Sequence, residues 1–230
     1  MLTLIIGNKN YSSWSMRPWV LLKHFGIPFT ERKLRFSQDP AAAFHTELAP
    51  ITPVGLVPVL LDEGFAVWDT LAIVEYVAEL FPQHAVWPRE RQARARARSL
   101  VAEMHSGFGA LRQHMPQNIE ASLPSVGKRI LAEQPDVRRN LDRIVGMWTA
   151  ALNDSGGPFL FGEFSAADAF YAPLAGRLIT YGVPLPAELT AYVDRLWASP
   201  GVAAWVAEAK QEKDFIDFEE PYRKSASDAG

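Results

Sequence analysis

The sequence predicts a mixed α/β unit over residues 1–83 followed by an all-helical unit over residues 89–222. Three observations carry this reading. Up to Pro82, short strand-like apolar runs alternate with segments of helical period. Beyond "PQHAVWP" (82–88) the strand-like runs stop and the later apolar patterns repeat at helical spacing. The chain has 230 residues, 48% of them hydrophobic, enough to bury a core in one large unit or in each of two.

Taken in order, "LTLIIG" (2–7) is an apolar run ending at a glycine, as a buried strand does. "WVLLKHFGI" groups its apolar residues helically and stops at Gly26, a C-cap residue. Pro18 lacks an N–H and clashes with the preceding turn, so the helix is expected to begin near Trp14 or Ser15, with Ser12 and Ser13 in the turn before it. "PFTERKLRF" (28–36) alternates as a second strand, and "DPAAAFHTELA" is a short helix with proline near its start. "VPVLL" and "FAVW", joined by "DEG", signal a hairpin. "DTLAIVEYVAELF" starts a helix at Asp69 and ends before Pro82, so the first unit reads βαβαββα. In the second unit "RERQARARARSLVAEMHSGFGALRQHM" is one long helical pattern, and "VGKRILAEQPDVRRNLDRIVGMWTAAL" is one or two more around Pro135. "SAADAFYAPLAGRLITYG", "AELTAYVDRLWAS" and "GVAAWVAEAKQEK" complete the helices, and "KSASDAG" (224–230) reads as frayed.

Composition excludes several functions. A formal net charge of −3 does not suit a nucleic-acid partner. The arginines at 89, 91, 94, 96 and 98 spread around their helix instead of forming one stripe, with Glu90 and Glu103 interrupting the charge, so they read as a solvated face. No apolar run is long enough for a transmembrane helix, and the first strand has no basic residue ahead of it, unlike a signal peptide. The absence of cysteine fits a reducing compartment, hence the cytoplasm, and removes every mechanism that needs a protein thiol. No His/Asp/Glu set has metal-ligand spacing, and no phosphate-binding glycine loop occurs.

Several stretches carry chemistry with two readings each. In "NYSSWSMRPW" (10–19) the serines are either helix caps or hydroxyl donors to an anion at a helix start. Val57-Pro58 is either a strand-opening proline or a cis turn. Asp69 and Thr70 stand where a strand passes into a helix, a place for a cap or for a bound carboxylate. In "EMHSGFGALR" (103–112), Met104, Phe108 and Leu111 share a helical face that is either core or pocket wall; His105 and Arg112 nearby suit an acidic ligand. Ser165 and Asp168 form a capping box and are excluded from the site.

Four patterns, in this order and spacing, resemble the cytosolic glutathione transferases over nearly the whole chain. "SSWSMR" (12–17) resembles the "S-S-C-S-W-R" turn of the zeta class. "PVGLVPVL" (53–60) resembles "P-x-G-x-V-P-x-L", "DTLAIVEYV" (69–77) resembles "E-S-x-A-I-x-x-Y", and "GEFSAADAF" (162–170) resembles "G-x-x-[ST]-x-A-D". The resemblance implies a thioredoxin-like glutathione-binding domain, a helical-bundle domain and a homodimer. It implies a cis Val57-Pro58 bond that turns the Val57 backbone towards the cysteinyl group of glutathione. Thr70 then holds the γ-glutamyl carboxylate and Asp69 the γ-glutamyl ammonium. Ser12 takes the place of the catalytic serine, with Ser13 as its substitute and Arg17 supporting the turn or the thiolate. Trp14, Met104, Phe108, Leu111 and Arg112 would form the electrophile pocket. Glutathione is the implied co-substrate, with no metal, and the second substrate a hydrophobic or unsaturated electrophile, as in detoxification. A free thiol has a pKa near ~8.5, and lowering it by about two units takes roughly 2.7 kcal/mol. One hydrogen bond to a charged group contributes ~1.5–3 kcal/mol and a helix start ~0.3–1 more, which suffices. Trp14 stands where the zeta class has cysteine, so its maleylacetoacetate isomerase activity is not carried over directly. A glutathione-dependent isomerase and a non-catalytic binding protein on the same scaffold are the alternatives.

Overall fold

Leu2–Ile6 forms β1 in the middle of a four-stranded sheet in the computed structural model, which describes residues 1–228. Thr30–Lys33 (β2) pairs with β1 in parallel, Val59–Asp62 (β3) pairs with it antiparallel, and Phe65–Trp68 (β4) pairs antiparallel with β3. The sheet order is β2-β1-β3-β4. Successive side chains of a strand face opposite ways. Leu2, Leu4 and Ile6 accordingly enter the main core, while Ile5 enters a smaller one with Leu34, Phe44, Leu48 and Val59. The main-core face is covered by α1 (Ser13–His24) and α3 (Thr70–Leu80), the other by α2 (Ala43–Leu48). The β3–β4 hairpin turns on Glu63 and Gly64, both with positive φ, as a tight two-residue hairpin loop requires.

The start of α1 differs from the expectation. Ser13 is already helical, and Ser12 is the N-cap, accepting from the Ser15 N–H. Pro18 sits inside the helix. Its missing N–H forfeits the bond to the Trp14 carbonyl. At the other end Gly26 has φ +65°, a left-handed conformation open to glycine, and closes the helix as expected.

The helical unit holds α4 (Arg91–Ser106), α5 (Gly109–His114), α6 (Pro124–Glu133), α7 (Pro135–Ser155), α8 (Ala166–Thr180), α9 (Ala187–Trp197) and α10 (Pro200–Glu212), followed by a 3₁₀ turn at Asp217–Glu219. The predicted single helix over 89–115 is two. Gly107 leaves the helix, and a Cβ there would meet the Glu103 carbonyl oxygen at 2.6 Å. Phe108 follows with φ 55° and drives its ring into the core. Helix α8 runs through the centre of this unit. Its capping box forms as expected: Ser165 accepts from the Ala167 N–H, and Asp168 accepts from the Ser165 N–H at 3.0 Å. Helix α1 packs against α8 and α10, which joins the two units. Gly201 makes this possible, since a Cβ there would lie 2.3 Å from the Val20 carbonyl oxygen. Lys9, buried at the same seam, pairs with Glu31 and Glu208. The expectation for residues 224–230 partly falls on 229–230, outside the described residues; before them, the Lys224 N–H donates to Asp228 across a turn. Among the described residues no helix is long and apolar enough to cross a membrane.

Candidate active site

The loop from β1 into α1 places the serines. Asn8, Lys9 and Asn10 are buried, and the Asn8 carbonyl accepts from the Tyr11 and Ser12 N–H groups. This fixes Ser12 at the start of α1, where its oxygen lies 3.3 Å from the Ser15 nitrogen and 2.7 Å from Ser15 Oγ. Ser13, one residue on, has no hydrogen-bond partner for its hydroxyl among the described residues. Both serines line a cavity of about 270 Å³. A second cavity, of about 430 Å³, is lined by Val57, Pro58, Asp69 and Thr70. The two share Trp14, Leu56 and Val57 and so form one cleft with two chambers.

The larger chamber has polar groups at one end and apolar walls. Val57-Pro58 is cis. Asp69, with φ 72°, caps α3 by accepting from the Leu71 N–H at 2.8 Å. Its other oxygen lies 3.3 Å from His105 Nε2. A carboxylate offers about four acceptor sites, so these contacts leave room for a cation. The Thr70 hydroxyl oxygen is buried with no partner among the described residues. An orphaned hydroxyl at a helix start, beside the chamber, suits a carboxylate.

The smaller chamber is cationic. Arg112 lines it, with its Nε buried and unpartnered. Arg177 lines it as well, its Nε donating to the Met115 carbonyl at 2.8 Å. Burial pushes the Arg177 pKa down to about 10. Gln117 is buried in the same wall, and among the described residues neither its Nε2 nor its Oε1 has a partner. Arg17 is fully buried, and among the described residues none of its guanidinium nitrogens has a hydrogen-bond partner. It is sandwiched between the Trp14 ring at 4.0 Å and the Phe170 ring at 5.0 Å. Burial lowers its pKa to about 9, the charges of Arg177 and Arg112 add to that, and Asp69 opposes it. Tyr11 also lines this chamber, but its hydroxyl donates to Glu220 at 2.8 Å, and burial and that carboxylate push its pKa up, so it is engaged elsewhere.

The structure thus brings Ser12, Ser13, Trp14, Val57, Pro58, Asp69, Thr70 and Arg112 to one cleft, with Arg17 sealed behind Trp14. Met104, Phe108 and Leu111 are instead buried in the hydrophobic core and line neither chamber. Met104 lies on the buried face of α4, Phe108 enters the core at the break between the helices, and Leu111 is the buried residue of α5. Sequence reasoning missed Gln117, Arg177, Tyr11 and Glu219. Arg177 had a readable signal, a lone arginine in an otherwise apolar helix; Gln117 sits in an irregular loop and had none. Among the described residues no group of His, Asp and Glu is placed to hold a metal ion.

Residues 11–80 match the glutathione S-transferase N-terminal domain, and residues 89–208 match the glutathione S-transferase C-terminal domain. A stringent starvation protein A homologue from Coxiella burnetii is 28% identical over 143 residues, covering 61% of this chain and 61% of that protein. The maleylacetoacetate isomerase of Rattus norvegicus is 27% identical over 174 residues, 75% of this chain and 76% of its own. The chain therefore spans about three-fifths of the first relative's length and three-quarters of the second's. Among solved structures, a glutathione transferase homologue from Burkholderia GL BGR1 with bound glutathione superposes with a TM-score of 0.70 at 25% identity, covering 91% of this chain and 98% of that one. A glutathione transferase from Methylococcus capsulatus shares the fold at 21% identity, with a TM-score of 0.69 over 92% of this chain and 100% of that one.

Proposed function

Because the chain belongs to the glutathione S-transferase family, we propose that it binds glutathione in the larger chamber and presents the thiolate to a small-molecule electrophile in the smaller one. The observation that carries this is the convergence of three separate segments on one cleft: the serines at the start of α1, Val57-Pro58 before β3, and Asp69-Thr70 at the start of α3. In this reading Thr70 and the start of α3 receive the γ-glutamyl carboxylate, which gives the orphaned Thr70 hydroxyl a partner. Asp69 meets the γ-glutamyl ammonium, and the Val57 backbone pairs with the cysteinyl group. The sulfur then lies where the chambers join, beside the start of α1. The thiolate is the nucleophile. Ser12 stabilises it by a charge-assisted hydrogen bond, with Ser13 as the alternative donor, and the buried Arg17 adds positive potential behind Trp14. The composition, free of cysteine, accords with a cytoplasmic setting.

A second reading, a glutathione-dependent isomerase, is supported by the cationic smaller chamber and by the rat relative named maleylacetoacetate isomerase. There the thiolate adds to a double bond, the resulting single bond rotates, and the thiolate leaves again. Arg112, Arg177 and Gln117 would hold the acid group of such a substrate. Calorimetric titration with glutathione, followed by assays of neutral aromatic electrophiles and unsaturated carboxylic acids, separates the readings. Conjugate formation supports the transferase, and isomerised acid with glutathione regenerated supports the isomerase. Binding without turnover supports a non-catalytic role, and no binding of glutathione overturns all three.

A further inference from the structure

We propose that Ser15, which lies behind Ser12 and does not line the cleft, sets the direction of the Ser12 hydroxyl and so tunes the bound thiol. It is a positioning residue, and the inference rests on the reading of Ser12 as the thiol's hydrogen-bond donor. Ser15 is fully buried on the first turn of α1. Its Oγ accepts from the Gly7 N–H at 3.1 Å and lies 2.7 Å from Ser12 Oγ. In the structure Ser12 is the donor of that pair, but a serine proton rotates about its C–O bond, so a new acceptor for Ser12 in the cleft can reverse it.

Counting protons separates the two arrangements. If Ser12 donates to Ser15, then Ser15 Oγ accepts both the Gly7 N–H and the Ser12 O–H. The proton of Ser15 then has no acceptor among the described residues, in a place closed to water. A buried donor left unmet is costly. If the bond reverses when the thiolate is present and Ser15 donates to Ser12, Ser12 Oγ accepts the Ser15 O–H beside the Ser15 N–H that it already holds. The Ser12 proton is then released towards the cleft. That arrangement satisfies every donor once the cleft supplies an acceptor, and a thiolate is one. The bonds then run in one direction, from the Gly7 N–H to Ser15, from Ser15 to Ser12, and from Ser12 to sulfur. Each polarises the next. No covalent bond changes; only the sense of one hydrogen bond does. Ser13 has no such hydroxyl behind it.

The test is the ultraviolet thiolate absorbance of bound glutathione against pH, for Ser12→Ala, Ser15→Ala and the double variant. Ser15→Ala should lower the thiolate fraction at neutral pH by ~3–10-fold, the scale of one hydrogen bond. Glutathione affinity by calorimetry should stay near that of the parent protein. In the Ser12→Ala background, Ser15→Ala should shift nothing further, because it acts only through Ser12. An additive shift overturns the proposal, as does a shift with Ser12→Ala but none with Ser15→Ala. If Ser12→Ala binds glutathione and leaves the titration unmoved, the assignment of Ser12 itself falls, and this inference with it. A measurement on the unaltered protein covers the case in which Ser15→Ala does not fold. The Gly7 amide proton should move downfield in the glutathione complex as the bound thiol ionises, and should show no such pH-dependent movement with S-methylglutathione. A Gly7 amide indifferent to that ionisation overturns the proposal.

Discussion

Ser12 serves two purposes with one oxygen. As the α1 cap it accepts from the Ser15 N–H, and as the proposed thiol contact it donates. Substituting alanine should separate the two. Ser12→Ala is expected to raise the pKa of bound glutathione, because the anion loses its donor. The rate at neutral pH should fall by ~10–100-fold, equivalent to ~1.4–2.7 kcal/mol, with partial recovery at higher pH. Ser13→Ala should leave the thiol titration in place; a shift in that variant alone would assign the sulfur to Ser13. Thr70 acts at the far end of the ligand. Thr70→Ala is expected to raise KM for glutathione by ~10-fold with kcat preserved, the pattern of lost uniform binding; steady-state kinetics at varied glutathione would show the reverse if Thr70 lay near the sulfur. These positions were legible because short loop motifs carry their own local chemistry. Arg112, Arg177 and Gln117 come from two helices and a loop, and only folding brings them to one wall. Periodicity could not distinguish Met104 and Leu111 as core from Met104 and Leu111 as pocket, since both readings need the same apolar spacing.

At the scale of elements, α8 is the part of the helical unit whose sequence most directly states its structure. Ser165 and Asp168 form the expected box, and Asp168 also accepts from the Leu160 N–H and the Tyr192 hydroxyl. Burial nevertheless outweighs these bonds and raises the Asp168 pKa to about 6. The folded protein then holds this proton more tightly than the unfolded chain, whose aspartate has a pKa of about 3.9. The contribution of Asp168 to stability is therefore complete below about pH 4 and declines as pH rises through about 6. Thermal unfolding of Asp168→Asn should lack that decline between the two pKa values. Asp168→Ala should cost ~2–4 kcal/mol at low pH and less at neutral pH, because four buried donors lose their acceptor while the burial penalty on the ionised carboxylate is relieved. By contrast, the break between α4 and α5 was not legible. The helical period continues across "SGFG", and what ends α4 is a tertiary fact, the demand of the core for the Phe108 ring.

On the scale of the whole molecule, one apolar face remains unpartnered. Phe65 and Trp68 on β4 are exposed beside Ala72 and Tyr76 of α3, on the outer edge of the sheet. Exposed aromatic patches of this kind mark interaction surfaces. Sedimentation at micromolar concentration is expected to give a homodimer, and Phe65→Glu to shift it towards monomer; a monomeric parent protein would remove the expectation. The opposite side of the molecule is closed by the segment after α10. Glu220 is buried there with Arg223, and takes hydrogen bonds from the Tyr11 hydroxyl and from Asn118. Tyr11 and Glu220 are 209 positions apart in the chain. A ribosome therefore exposes the serine loop long before it releases the carboxylate that anchors it. Late in that interval the sheet and the larger chamber can form, but the wall of the smaller chamber carrying Glu219 is missing and the Tyr11 hydroxyl lacks its Glu220 partner. Binding in the smaller chamber by the nascent chain should accordingly mature late, when the segment carrying Glu219 and Glu220 emerges and the two distant segments meet.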